Sequence, residues 1–157
     1  MSVVVPDAWR ADALREAFEA LGVASADSVR NIETGLSVRT AFGDQLAADA
    51  ARWTRGARQA PPRDLELGPG ALRLWAIAAG RREETAYLLG TPEADDPVHG
   101  IAGAQLARLG VTAVSVAMRG RSGWRVTSLR RLRRLGELLG PPPDGGAAEW
   151  PMLTARS

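Results

Sequence analysis

Apolar residues recur at intervals of three and four in the first part of the chain, PDAWRADALREAFEALG. This spacing places them on one side of a helix and leaves acidic residues on the other. Pro6 suits the first turn of such a helix, and Gly22 suits the position just after its end. The pattern therefore predicts an amphipathic helix with a charged outer face. The acidic residues of that face are Asp12, Glu16 and Glu19.

The segment that follows, SADSVRNIETGLSVRT, has a pattern that fits two kinds of element. Val29, Ile32 and Leu36 have helical spacing, whereas Leu36, Val38 and Thr40 alternate as in a short strand. We expect the first half of this segment to be helical.

A second helix is predicted over residues 43–58. Apolar residues in this region are again spaced by three and four, and Trp53 lies on the apolar stripe that they form. We therefore expect the Trp53 side chain to be buried against the rest of the fold. Pro61 and Pro62 then end the helix.

Two β-hairpins are predicted in the second half of the chain. The first covers ALRLWAIAAGRREETAYLL, in which two apolar runs flank a polar turn around Gly80 to Glu83. The second joins VTAVSVAM to WRVTSL across the turn RGRSG. Between the two hairpins, IAGAQLARLG predicts a short helix that ends at Gly110, although Gly103 weakens it.

Residues 129–139 have the most pronounced amphipathic pattern in the chain. At 100° per residue, four leucines fall within one arc of a helix and four arginines fall within the opposite arc. The leucines are Leu129, Leu132, Leu135 and Leu139, and the arginines are Arg130, Arg131, Arg133 and Arg134. The leucines predict docking of this helix onto the sheet, which leaves a basic outer face.

Together these elements predict an α+β fold. Two β-hairpins form a small antiparallel sheet, which packs against N-terminal helices and a C-terminal amphipathic, Arg-rich helix. We expect residues 1–140 to form a single domain. Residues 141–157 form a Pro/Gly-rich tail, for which no regular structure is predicted unless Trp150 and Leu153 dock elsewhere.

Length and composition agree with an ordinary globular domain. A chain of 157 residues with 45% hydrophobic residues can bury a core without disulfides or metal. No apolar run approaches the roughly 18–20 residues of a membrane span. The start MSVVVPDAW lacks the basic residues and long apolar centre of a signal peptide. We therefore expect a cytoplasmic protein that does not bind membranes.

Two missing residue types exclude several kinds of chemistry. The chain is cysteine-free, which excludes disulfides, thiolate nucleophiles, zinc–cysteine sites and iron–sulfur clusters. All 20 basic residues are arginine, which excludes lysine Schiff bases and the lysine of a phosphate-binding loop. The remaining residues indicate no cofactor.

Charge is distributed unevenly along the chain. Residues 1–100 carry 11 arginines and 15 acidic residues, a net charge of −4. Residues 101–140 carry 8 arginines against Glu137 alone, a net charge of +7. This asymmetry predicts either a basic surface for an acidic partner or internal pairing between the two parts of the fold.

The arginines of the last helix are the main candidate site. Arg130 and Arg131 would lie in its first turn, where the helix dipole disfavours cations by about 0.3–1 kcal/mol. Helix stability therefore does not explain them, and pairing with acids of the N-terminal part would be the structural explanation. The functional alternative is partner binding by Arg130, Arg131, Arg133, Arg134 and, on the preceding strand, Arg125.

Three functions stay open on this pattern. The first is a non-enzymatic adaptor or regulatory domain that binds an acidic protein through the Arg-rich face. The second is nucleic-acid binding by the same helix, against which stands the absence of interleaved aromatic residues and of recognised nucleic-acid-binding motifs. The third is a small enzyme or metal site in the loop at 90–100, where Asp95, Asp96 and His99 are close in sequence. Acidic residues beside prolines are more often turn formers, so we expect this loop to be structural.

Overall fold

The computed structural model describes residues 2–23, 29–40, 44–55 and 58–151, and these form an α+β fold. The first half contains β1 (Ser2–Val5), α1 (Ala8–Ala20), β2 (Arg30–Ile32), β3 (Gly35–Arg39), α2 (Asp44–Arg52), β4 (Thr54–Arg55) and β5 (Arg58–Gln59). The second half contains α3 (Pro69–Ala79), β6 (Gly80–Arg82), β7 (Tyr87–Thr91), α4 (Pro97–Arg108), β8 (Val114–Met118), β9 (Arg121–Val126) and α5 (Leu129–Leu139), followed by a short 3-10 helix (Ala147–Glu149).

Strands β6 to β9 form a four-stranded antiparallel sheet in the order β6-β7-β9-β8. It is built from two hairpins, β6–β7 and β8–β9, which confirms the predicted fold class. The two hairpins join through β7 and β9, where Tyr87 lies opposite Val126 and Thr91 opposite Ser122. The prediction that residues 71–79 form a strand is wrong, because this apolar run is helix α3. It buries Leu72, Ala76 and Ile77, and short apolar runs without alternation do not distinguish a buried strand from a buried helix.

A second, three-stranded antiparallel sheet has the order β1-β3-β2. In its centre β3 pairs with β1, so that Leu36 lies opposite Val5 and Val38 opposite Val3. The predicted helix in the first half of 24–40 is therefore wrong for residues 30–32, which are strand β2; residues 24–28 lie outside the described residues. Residues 30–32 pair with residues 35–37 of β3 in a hairpin, and β3 in turn pairs with the N-terminal strand β1. Pairing within this sheet overrides the helical spacing of the segment.

Three helices lie side by side over these sheets, with α3 in the middle. Helix α3 packs against α1 on one side and α5 on the other, and it also contacts β1, β6 and β7. Side chains from both sheets, from these three helices and from α4 share one core. Its fully buried large side chains include Val5, Val38, Leu14, Leu72, Tyr87, Leu89, Leu106, Val126 and Leu135.

A buried arginine connects the two halves of the fold. Arg10 on α1 is 4% exposed. Its guanidinium donates to the carbonyl oxygens of Ile77 at 2.8 Å and Gly80 at 2.7 Å, at the end of α3. It also pairs with Asp7 at 2.9 Å. Arg10 therefore satisfies carbonyl groups that the end of a helix leaves without partners.

The predicted second helix is shorter than expected, and the predicted burial of Trp53 is wrong. Helix α2 ends at Arg52, and Trp53 lies just beyond it with 37% of its surface exposed. The Trp53 carbonyl accepts a hydrogen bond from the amide of Ala60, which closes the small β4–β5 hairpin. Hairpin formation thus ends the helix before Pro61 and Pro62 can do so.

The C-terminal segment packs back onto the helices. Trp150 is 3% exposed and belongs to the core. Its indole nitrogen donates to the Gly140 carbonyl at 2.9 Å, and the Arg73 guanidinium lies over its ring. Leu153 lies outside the described residues.

Within the described ranges, no helix has the length and apolar character needed to cross a lipid bilayer.

Candidate interaction surfaces

Helix α5 has the amphipathic character that its sequence predicts. Leu135 and Leu139 are buried, whereas Arg130, Arg133 and Arg134 are exposed and Arg131 is half-buried. Leu129 departs from the prediction, since 59% of its surface is exposed. It is the first residue of the helix.

A wide groove runs beside the arginines of α5. Its volume is about 770 Å³, and it is open to solvent on the surface of the molecule. One wall is α5, and the other includes Gly110 and Thr112 from the turn between α4 and β8. Arg134 bridges the two walls, because its Nε donates to the Leu109 carbonyl at 3.2 Å. We call this groove, with Leu129, Arg130, Arg131 and Arg133, the basic groove.

Among the described residues, most arginines of the basic groove have no acidic ion-pair partner. Arg134 pairs with Glu137 at 3.6 Å. Among the described residues, however, Arg130, Arg131 and Arg133 form no ion pair. Internal pairing with acids of the N-terminal part was the structural explanation for these residues, and the described part of the chain contains no such pair. Their role in binding a partner stays a prediction.

Arg125 lies apart from the α5 arginines, on strand β9, where it binds Glu83. Its Nε is 2.6 Å from Oε2 of Glu83 and its Nη2 is 3.1 Å from Oε1. Arg121 on the same strand also pairs with this carboxylate. The hydrogen bond from Arg125, helped by the charges of both arginines, lowers the pKa of Glu83, and the same bond raises the pKa of Arg125.

These two arginines belong to the face of the four-stranded sheet that points away from the shared core. Strand register places Arg81, Arg121 and Arg125 on this face together with Leu88. The exposed apolar side chains of Val114 and Met118 lie there too. We call this surface the outer face. Sequence reasoning missed it as a site, although the alternation of arginine along RGRSGWRV at positions 119, 121 and 125 was a visible signal.

The three-stranded sheet also turns one face away from the core. Its register places Val4, Arg30, Ile32 and Arg39 on that side, and all four are exposed. Both sheets therefore combine arginines with exposed apolar side chains on the side that the shared core does not occupy.

The loop at 90–100 does not bring its acidic residues and His99 together. Asp96 caps helix α4 by accepting from the Val98 amide at 2.8 Å, and Asp95 is exposed. His99 lies on α4 and is 5% exposed. Within the described ranges, no three His, Asp or Glu side chains are grouped closely enough to hold a metal ion. The capping role agrees with the expectation of a structural loop.

The partners of His99 are hydroxyl groups rather than carboxylates. Its Nδ1 is 2.7 Å from the Thr91 hydroxyl and its Nε2 is 2.8 Å from the Ser115 hydroxyl. The ring stacks on Trp124, with 4.8 Å between ring centres. Trp124 in turn donates to the His99 carbonyl at 2.8 Å. With both ring nitrogens bonded and the ring covered, this histidine joins α4 to the sheet.

Comparison with known proteins identifies the fold but not a family. No protein-family model matches the sequence, and no curated protein matches it. Among solved structures, the chain is similar to the crystal structure of the N-terminal LAGLIDADG domain of DUF199/WhiA. The TM-score is 0.62 at 11% sequence identity, and the match covers 89% of this chain and 72% of the other. This likeness shows a shared fold.

Proposed function

We propose that the protein binds double-stranded nucleic acid through its outer face. The observation that carries this proposal is the composition of that face. Arg81, Arg121 and Arg125 lie on this face. Glu83 forms ion pairs with two of these arginines, Arg121 and Arg125. Guanidinium groups form the charge-assisted hydrogen bonds that phosphate oxygens accept most strongly.

The β8–β9 hairpin has dimensions suited to a duplex groove. Neighbouring strands are about 4.8 Å apart, and a two-stranded ribbon enters a major groove that is about 12 Å wide. Arg119 and Gly120 form the tip of the hairpin, and Gly120 has a φ of +73°, which favours glycine in this turn. Strand β8 is the edge of its sheet, so the approach to the hairpin is open on that side.

The apolar part of the outer face supports the same proposal. Val114 and Met118 are 59% and 60% exposed on strand β8. Apolar side chains between arginines provide contacts to base edges, such as thymine methyl groups, while arginines contact phosphates. Phosphate contacts dominate affinity, so binding is expected to be strongly salt-dependent and to have modest sequence preference.

Fluorescence anisotropy with a labelled duplex of about 20 base pairs, over a range of salt concentrations, tests the proposal. In Arg119→Gln/Arg121→Gln we expect the log–log salt slope to fall by up to about 1.8, since each phosphate contact contributes about 0.9. This variant keeps the Arg125–Glu83 pair. The matched control is Arg52→Gln/Arg108→Gln, which removes two arginines paired with exposed acids elsewhere; its slope should stay near that of the wild type.

A substitution that is expected to strengthen duplex binding provides a second test. Glu83→Gln removes the carboxylate that holds Arg121 and Arg125, so duplex binding should become tighter by roughly threefold to tenfold, as expected for two released charge contacts. Glu84→Gln changes net charge equally without breaking an ion pair in the described structure, and should have a smaller effect. No binding of the wild type at low salt, or equal effects of all these variants, would reject the outer face as the site.

A further inference from the structure

The basic groove has a complementary surface elsewhere on the same molecule. Asp12, Glu16 and Glu19 project from the outer side of α1, and Asp144 from the C-terminal segment lies beside them. All four are exposed, and together with the half-buried Arg15 they line a shallow depression of about 380 Å³. The four carboxylates outnumber this one guanidinium, so the depression is net acidic. In the part of the chain that the structure describes, none of the four forms an ion pair. We call this surface the acidic flank.

The positions of the two surfaces allow one molecule to contact the next. Helix α3 packs against both α1 and α5, so a helix separates α1, which carries most of the acidic flank, from α5, which carries the basic groove. In the part of the chain that the structure describes, no ion pair joins the two surfaces within one copy. The two surfaces can pair between two copies that are related mainly by a translation.

We infer that the basic groove binds the acidic flank of a second copy of this chain. In this contact Arg130, Arg131 and Arg133 of one copy face the carboxylates of α1 in its neighbour. The lengths of the two helices agree, since 13 residues of α1 and 11 residues of α5 span about 20 Å and 16 Å. The contact is heterologous, so a pair of copies keeps one unused basic groove and one unused acidic flank, and association continues head to tail.

Apolar residues at the edges of both surfaces fit the same contact. Leu129 begins α5 beside the groove and is 59% exposed, and Leu21 follows the end of α1 and is 63% exposed. These are two of the large apolar side chains that the described structure leaves open to solvent. A phosphate backbone cannot bury an exposed leucine side chain against apolar surface, whereas a protein surface with its own exposed leucine can.

Head-to-tail association does not compete with the outer face. Helices α1 and α5 both bury their apolar sides in the shared core, whereas the outer face points away from it. The inference therefore does not rest on nucleic-acid binding. Because the charges are exposed, we expect the association to be weak and salt-sensitive, and to disappear once the Debye length falls to a few ångströms at about 0.5 M salt.

Sedimentation velocity over a range of concentrations, at about 0.05 M and 0.5 M salt, measures this association directly. We expect the wild type to form larger species with rising concentration at low salt and to be monomeric at high salt. A basic-groove variant, Arg130→Gln/Arg131→Gln/Arg133→Gln, and an acidic-flank variant, Asp12→Asn/Glu16→Gln/Glu19→Gln, should each stay monomeric. Neutral replacements avoid creating new ion pairs in either variant.

Mixing the two variants gives the most specific result. The acidic-flank variant has an intact basic groove, and the basic-groove variant has an intact acidic flank, so an equimolar mixture should form 1:1 dimers that grow no further. The control Arg52→Gln/Arg55→Gln/Arg63→Gln removes three arginines that line neither surface, and should associate like the wild type.

Several results would overturn the inference. These are a wild type that is monomeric at low salt up to about 0.1 mM, association that either variant leaves intact, and a mixture that stays monomeric. If the basic-groove variant associates normally but loses duplex affinity, the arginines of α5 contact nucleic acid instead. If the outer-face variants lose duplex binding while association persists, the two proposals are separated.

Discussion

The Glu83 carboxylate links the stability of the protein to pH. It is 18% exposed and receives hydrogen bonds from Arg121 and Arg125. The hydrogen bond from Arg125, together with the positive charges of Arg125 and Arg121, lowers its pKa in the folded state from the ordinary value of 4.5, so folding favours the ionised form. The stabilisation is therefore complete above about pH 4.5 and is lost as the pH falls through the lower folded-state value.

Glu83→Gln should consequently be destabilising at neutral pH and neutral in acid. We expect a loss of about 1 kcal/mol at pH 7, typical of a well-oriented, partly exposed ion pair. Urea unfolding of both proteins at neutral pH and near pH 2 measures the difference. Glu84→Gln serves as the control, since Glu84 is exposed and forms no ion pair in the described structure. An equal loss at both pH values would show that the carboxylate charge is not the cause.

Helix α4 contains two glycines that differ in what surrounds them. A Cβ added at Gly103 would overlap the indole ring of Trp124, whereas at Gly100 it would meet no atom within 4 Å. Alanine in a helix interior is favoured over glycine by about 1 kcal/mol. Overpacking a well-filled contact costs about 1–3 kcal/mol. Local propensity therefore decides the effect at Gly100, and tertiary packing decides it at Gly103.

We expect Gly100→Ala to raise the free energy of unfolding by up to about 1 kcal/mol. Gly103→Ala should lower it by up to about 2 kcal/mol, because the packing cost exceeds the gain in helix propensity. Thermal melts of the two variants should therefore shift in opposite directions. The same shift in both would mean that the indole of Trp124 is not packed on this helix.

Arg10 connects the two halves of the fold through buried hydrogen bonds and should contribute substantially to its stability. Replacement by methionine keeps much of the aliphatic volume but leaves carbonyl oxygens of Ile77 and Gly80 buried without their donor. Removing one partner from a buried charged network costs about 3–5 kcal/mol. We expect Arg10→Met to lose that amount in urea unfolding, and to loosen both sheets together because they share one core.

Arg15→Met is the matched control for this prediction. Arg15 lies on the same helix, but its buried Nε has no hydrogen-bond partner among the described residues. Its replacement should change stability by less than about 1 kcal/mol. A similar loss in both variants would indicate that helix α1, rather than the guanidinium contacts of Arg10, determines the effect.

The amino-acid pattern by itself determined those elements whose signal is local. The stripe of leucines opposite arginines predicted α5, and the apolar spacing after Pro6 predicted α1. The apolar pattern on both sides of RGRSG predicted the β8–β9 hairpin, although the turn is only Arg119–Gly120 and the predicted turn residues 121–123 belong to β9. These patterns predicted the α+β fold class and the basic face of the last helix. Each of these features is specified by residues a few positions apart, where periodicity is informative.

Tertiary structure alone decided the features that depend on distant residues. Residues 71–79 are a helix because they lie in the centre of the core, and residues 30–32 are a strand because β3, with which they pair, is also paired with the N-terminus. The pairing of β9 with β7 and β8 placed Arg125 on the outer face rather than with the α5 arginines, and there it binds Glu83, 42 positions away. The separation of the acidic flank on α1 from the basic groove on α5, with α3 packed against both helices, has the same origin. No local pattern encodes such contacts, because their energy comes from packing and ion pairs that form only after the chain has folded.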